Sequence, residues 1–114
     1  MDLIVANIHG AEVVVSQLGR WPSFHDAEIT QVHLERDGRS TVTLRLVDKA
    51  PGEFVTFTFE RIVDLTLDGE DVNRQNVIGA LAIEMVGQAT KLTFSPCYGL
   101  AGHITAERVS VHVG

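Results

Sequence analysis

The stretch Trp21–Ile29, which reads WPSFHDAEI, holds the densest group of chemically active side chains in the sequence. Its imidazole, His25, lies within three residues of two carboxylates, Asp26 and Glu28. Imidazole and carboxylate groups both bind zinc or manganese, so His25, Asp26 and Glu28 are candidate metal ligands. In an extended backbone Phe24, Asp26 and Glu28 project from one face, where close carboxylates can separate their pKa values for acid–base catalysis.

The same residues also have a purely structural interpretation. Pro22 fixes φ and holds Trp21 extended, so a preceding helix ends here. We expect Trp21 and Phe24 to be largely buried, joining that helix to the first strand. We expect His25 to be packed, with one ring nitrogen hydrogen-bonded to a carboxylate or a backbone carbonyl. The other histidines lack metal-ligand spacing, and the sequence has no nucleophile elbow or phosphate-binding loop, so no enzyme activity and no cofactor are predicted.

Charge and cysteine content restrict the class of partner and the compartment. The formal net charge of −6 argues against nucleic-acid binding and favours a basic protein partner. Cys97 is the single cysteine and cannot form an intramolecular disulfide, which together with the absence of a secretory segment predicts a reducing cytoplasm. No stretch approaches the roughly 20 apolar residues that span a membrane, so no membrane contact is expected.

Apolar periodicity identifies the elements that must position this stretch. Within residues 8–19 the apolar side chains recur at helical spacing, and Gly19 is a typical helix end, so this stretch is predicted to form a short helix. From Ala27 onwards the period changes to two, and tight turn signals such as Asp37-Gly38 and Pro51-Gly52 separate short runs, which predicts antiparallel strands. Two runs are predicted to face the core: Val42, Leu44, Leu46 and Val55, Phe57, Phe59. Val63, Leu65 and Leu67 continue this alternation in a further strand.

Breaks in the alternation predict where the strands are irregular. A change of parity after Ile29 predicts a bulge near Thr30 and Gln31. A second change at Ile62 predicts a bend or short turn near residues 60–61. The predicted fold is therefore a single α+β domain over residues 1–114, mostly β. Its N-terminal helix packs on a curled, half-barrel-like antiparallel sheet of about seven strands.

A second group of acidic side chains follows the strand that ends near Asp68. Asp68, Glu70 and Asp71 lie in a polar connection, and binding residues often lie in loops. With Asp26 and Glu28 they form the predicted binding residues for a basic partner, whereas Trp21, Phe24 and His25 have structural roles.

The chain resembles a known family through these residues. An aromatic residue followed by Pro-Ser-Phe-His-Asp-Ala-Glu, and a strand ending in Asp-Gly, resemble the immunity protein 50 family of bacterial polymorphic-toxin systems. The stretches from Phe57 to Leu65 and from Arg74 to Ile78 are similar to the same pattern. The resemblance covers nearly the whole chain.

The resemblance implies a cytoplasmic antitoxin-like protein that binds and neutralises a protein toxin. Its acidic charge suggests a basic nuclease as the toxin. Two other functions remain open from sequence: a metal-binding module or metal-dependent enzyme using His25, Asp26 and Glu28, and a homodimer formed through an exposed sheet edge.

Overall fold

The computed structural model describes residues 3–35, 38–47, 52–69 and 76–114. These residues form two helices and six strands. The elements are α1 (Leu3–Ala6), α2 (Ala11–Leu18), β1 (Glu28–His33), β2 (Arg39–Arg45), β3 (Phe54–Asp68), β4 (Asn76–Val86), β5 (Ala89–Tyr98) and β6 (Ala101–Val113).

The six strands close into an antiparallel ring in the order β1-β2-β3-β6-β5-β4. The seam between β1 and β4 is short, since among the described residues only Glu28–Val77 and Ile29–Asn76 pair across it. The predicted mostly-β fold with a helix on a curled antiparallel sheet is confirmed. The sheet is closed, because β1 pairs with β4, whereas the prediction was an open, half-barrel-like sheet.

The α2 helix packs on β6 and is shorter than the predicted span 8–19. It begins after Gly10 and ends before Gly19, both with left-handed backbone angles that glycine adopts readily. Ala11 and Val14 are fully buried on one side of the helix, while Val13 on the other side is exposed. The apolar stripe therefore attaches the helix to the sheet as its spacing predicts.

Strand β2 and the first half of β3 follow the predicted alternation closely. All six residues assigned to the core by their parity are buried: Val42, Leu44, Leu46, Val55, Phe57 and Phe59. The register of β1 against β2 shifts between Ile29 and Gln31, which confirms the predicted bulge. Two of the predicted turns, at Asp37-Gly38 and Pro51-Gly52, include residues outside the described ranges.

The described residues form six strands where about seven were predicted, because residues 54–68 form one long strand. The parity change at Ile62 is a bulge within β3, and its register against β6 shifts between Ile62 and Asp64. Arg61 accommodates the bulge with a positive φ of 58°. A bulge and a turn break sequence periodicity alike, so parity alone does not distinguish them.

The second half of β3 is not covered as its alternation predicts. Leu65 lies opposite the fully buried Ile104, so it shares the core-facing side of the sheet, yet 39% of its surface is exposed. Val63, in the bulge, is 59% exposed. Leu67 is partly buried against the core. The described residues leave the core-facing side of this part of β3 partly uncovered, which is the largest departure from the predicted core.

We expect Gly102→Ala to lower the free energy of unfolding by about 2–3 kcal/mol. Gly102 has φ of +137°, and a Cβ here would overlap the backbone carbonyl oxygen of Thr66 on the neighbouring strand. Gly87→Ala is the control, because Gly87 also has positive φ but open space around it, so only strain of about 1 kcal/mol is expected. Urea unfolding of both variants measures the difference; equal losses would show that the β3–β6 contact is not tight.

Candidate functional site

The FHDAE stretch forms a tight turn that leads into the seam of the ring. The Ala27 amide donates to the Phe24 carbonyl at 3.0 Å, which closes the turn. The Asp26 amide donates to the Ile78 carbonyl at 2.9 Å, and the Ile78 amide donates to the Ala27 carbonyl at 3.0 Å. Ala27 is fully buried, so a small side chain suits this position. The turn therefore extends the short pairing between β1 and β4.

The predicted extended arrangement of this stretch is wrong. Asp26 has a left-handed backbone with φ of 64°, which aspartate tolerates better than most residues. The two-residue alternation consequently fails: Phe24 is buried, Asp26 is exposed and Glu28 is intermediate. The carboxylates of Asp26 and Glu28 do not form a shared face.

His25 has the predicted hydrogen bond but not the predicted packing. Its Nδ1 lies 2.8 Å from the Gly79 carbonyl oxygen, so Nδ1 is the donor. Its Nε2 lies 3.4 Å from Oδ2 of Asp26. The side chains of His25 and Asp26 are 66% and 54% exposed. The imidazole therefore ties the turn to β4 from the surface and leaves the Asp26 carboxylate accessible to a partner.

Glu28 is engaged on β1. Its Oε1 accepts a hydrogen bond from Nε of Arg45 on β2 at 3.2 Å, and its side chain is only 17% exposed. Throughout the described ranges no group of three or more His, Cys, Asp or Glu side chains is placed to hold a metal ion. The structure thus does not assemble the alternative metal site on His25, Asp26 and Glu28, because an arginine holds the third carboxylate.

Three aromatic rings anchor the turn to the core. Phe24 is buried, and its ring centroid lies 5.7 Å from Trp21 and 5.6 Å from Phe57 on β3. Trp21 lies edge-on to Phe57 at 6.3 Å and is partly buried against the core. The predicted burial is therefore confirmed for Phe24, whereas Trp21 is half-buried. These ring contacts hold the turn against strand β3.

Cys97 lies beside this turn, a proximity that sequence reasoning missed. Its thiol points towards Oδ1 of Asp26 at 3.7 Å, across a separation of 71 residues. The base that activates a cysteine nucleophile is commonly an imidazole. The thiol of Cys97 faces a carboxylate instead. Gly79 leaves room for the sulfur, since a Cβ at this position would stand only 3.3 Å from it. No local sequence signal indicates such a contact.

Asp26 and Asp68, one residue from each predicted acidic group, lie near the connection between β5 and β6. Cys97, which faces Asp26, is near the end of β5, and Gly99 follows it in the connection. Gly69 approaches Gly99 so closely that a Cβ on Gly69 would stand 2.8 Å from the Gly99 carbonyl oxygen. Asp68 is exposed immediately before Gly69. We name the surface carrying Asp26 and Asp68 the acidic end of the ring.

The remaining members of the second acidic group, Glu70 and Asp71, lie outside the described residues. Asn76 follows this segment and starts β4. Its Oδ1 accepts a hydrogen bond from the Leu100 amide at 3.0 Å, which fixes the β5–β6 connection against β4. The polar sequence context of Asn76 favours bonding to loop backbone groups, and the Leu100 amide is such a group.

A further carboxylate, Asp64, lies on the outer side of β3. Its Oδ2 lies 2.8 Å from Nε2 of His103 on β6. This hydrogen bond holds the pKa of the Asp64 carboxyl below its usual range, with a smaller contribution from the positive charge that His103 carries when protonated. The pair joins β3 to β6 on the exposed face of the sheet.

We expect Asp64 to titrate below the ordinary aspartate value of about 3.9, and His103→Leu to return it towards that value. A lowered pKa in the folded state stabilises the fold above the unfolded value, and this contribution is lost as the pH falls through the folded pKa. The ¹³C shift of the Asp64 carboxyl, followed against pH, measures both midpoints. An unchanged midpoint in the variant would contradict the assignment to His103.

These contacts define a small mostly-β protein whose most distinctive motif builds a structural seam and exposes an acidic surface. The model of the family described as immunity protein 50 matches residues 10–113. The chain belongs to this family, whose members are non-enzymatic toxin inhibitors. Searches of curated proteins and of solved structures each found no match. No helix in the described part of the chain is long and apolar enough to cross a membrane.

Proposed function

We propose that this protein binds and neutralises a cognate bacterial toxin in the cytoplasm. The observation that carries the proposal is the family match over residues 10–113, together with the formal charge of −6. Acidic inhibitors associate rapidly with basic partners, since long-range attraction steers the encounter. A basic nuclease is the toxin class that this charge suits best.

The acidic end of the ring is the proposed contact surface. Asp26 and Asp68 are both exposed there, and Glu70 and Asp71 follow Asp68 in the chain. Glu28 contributes less directly, because its carboxylate is paired with Arg45 and mostly covered. The inhibitor would cover the toxin's active site with this surface, a role that requires accessible charge and a rigid frame rather than catalytic geometry.

Identification of the toxin tests the proposal in two steps. Affinity capture with the tagged chain from the native host identifies proteins that bind, and each captured protein is then expressed with and without this chain. We expect one of them to stop growth when expressed alone and to be tolerated when this chain is present. A captured toxin whose effect on growth is the same with and without the chain would contradict neutralisation.

A further inference from the structure

The second half of β3 has one open edge. β2 pairs along β3 only as far as Arg39–Glu60, and beyond that pair no described strand bonds to this edge. On its other edge β3 remains paired with β6 as far as Asp68. Residues 64–68 consequently present alternate backbone N–H and C=O groups to any strand that approaches, which is the situation that favours strand addition.

The side chains along this edge have two different characters. Leu65 is 39% exposed on the core-facing side, and Val63 is 59% exposed at the bulge that precedes it. Asp64 and Asp68 are exposed on the opposite side of the same strand. A strand added here would therefore place one set of side chains against apolar surface and the alternate set beside carboxylates.

We propose that residues 64–68 of β3 bind an extended segment of the toxin by strand addition. The segment alternates basic with apolar residues, so that its lysines or arginines face Asp64 and Asp68 and its apolar side chains cover Leu65. This proposal rests on the proposed toxin binding and names the contact within it. Asp68 also belongs to the acidic end of the ring, so the edge continues that surface along β3.

Charge argues against a second copy of this chain as the occupant. Antiparallel self-pairing centred on Thr66 would place Asp64 directly opposite Asp68 twice. Self-pairing centred on Leu65 would place each Asp64 opposite Thr66, with the partner copy's two aspartates as diagonal neighbours. Like charges opposite each other destabilise a strand pair, and diagonal neighbours are also within interaction range. A basic strand relieves this repulsion.

A synthetic peptide tests the edge directly. The probe has about seven residues, alternates lysine with valine and has blocked termini. Hydrogen exchange of the full chain is followed by NMR with and without the peptide. We expect the open-edge amides within residues 64–68 to exchange at least about tenfold more slowly with the peptide bound. Exchange that is unchanged at saturating peptide would overturn the proposal.

Two control peptides separate strand pairing from simple charge attraction. Replacing each lysine by glutamate should abolish the protection, because the carboxylates then repel. Methylating the backbone nitrogens of alternate residues keeps the charge but removes backbone donors, so one of the two possible methylation patterns should abolish protection. Protection that survives both patterns would show that the peptide does not add as a strand.

Variants of the chain connect the edge with the toxin. Leu65→Lys and Asp68→Lys should each weaken binding of the lysine–valine peptide and of the captured toxin by at least about tenfold. Val13→Lys on α2, which changes another exposed apolar residue, should leave both unchanged. Thermal melting shows which variants are folded. If Leu65→Lys is unfolded, Asp68→Lys alone tests whether the edge binds the peptide and the toxin.

The two proposals fail in different ways. If the unmodified chain neutralises the toxin and folded Leu65→Lys and Asp68→Lys chains do so equally well, the edge is not the contact and neutralisation stands. If the unmodified chain neutralises no captured protein, the proposed function fails, and with it the assignment of this edge to a toxin.

Discussion

Replacing Phe24 by alanine is expected to lower the free energy of unfolding by about 3–5 kcal/mol. Phe24 is only 6% exposed and its ring packs between Trp21 and Phe57. The loss would combine the transfer of a large apolar side chain into water with the cavity left behind. Because Phe24 also begins the turn into the seam, the variant should loosen the pairing of β1 with β4. Urea unfolding measures the loss.

Phe54→Ala is the matched control for this prediction. Phe54 is also a phenylalanine, at the start of β3, but 40% of its surface is already exposed. Its removal should therefore cost clearly less. Trp21→Ala should lie between the two, since Trp21 is half-buried. A Phe24→Ala chain as stable as the Phe54→Ala chain would contradict the anchoring role of the aromatic group.

Reversing the charges of the acidic end is expected to slow association with a basic toxin by about tenfold at low salt. The double variant Asp26→Lys, Asp68→Lys replaces attraction with repulsion at the proposed contact. Its salt dependence should also become weaker, because steering between opposite charges is what added salt screens. Stopped-flow or surface-binding kinetics with the captured toxin, repeated at rising salt concentration, measure both effects.

Two further variants are the controls for this experiment. Glu12→Lys, on the exposed side of α2, makes the same change in net charge as each single reversal and should have a much smaller effect. Asp26→Asn removes the charge but tolerates the left-handed backbone at this position, so it separates loss of charge from strain in the turn. Unaltered association in the double variant would rule out electrostatic capture through the acidic end.

Local pattern was a good guide wherever neighbouring residues decide the structure. The alternation of β2 and of the first half of β3 predicted six buried residues because each strand there has a covered side. Gly19 and Pro22 marked the end of the helix, and the parity change after Ile29 marked a real bulge. The hydrogen bond from His25 was also predictable, since an imidazole beside a chain reversal needs an acceptor.

Pattern misled where the outcome depends on distant residues. Asp26 and Glu28 looked like a shared pair, but the turn aims Asp26 outward and Arg45 holds Glu28. Arg45 is 17 residues away in sequence, and nothing local selects it. The contacts of Asp26 with Cys97 and of His25 with Gly79 arise in the same way. The motif therefore contains several kinds of polar side chain because each of them contacts a different distant residue.

By itself the sequence determined the type of every described element except the short helix α1, the side of most strands that faces the core, the acidic charge and the family. These properties follow from backbone preferences and from the separation of apolar and polar residues along short stretches. Tertiary structure alone decided that the sheet closes into a ring, that β3 is continuous through its bulge and that no described strand pairs with one edge of the second half of β3. Those outcomes depend on strand pairs between residues far apart in the chain. Identical local alternation gives a buried face where another layer covers it and an exposed one where none does.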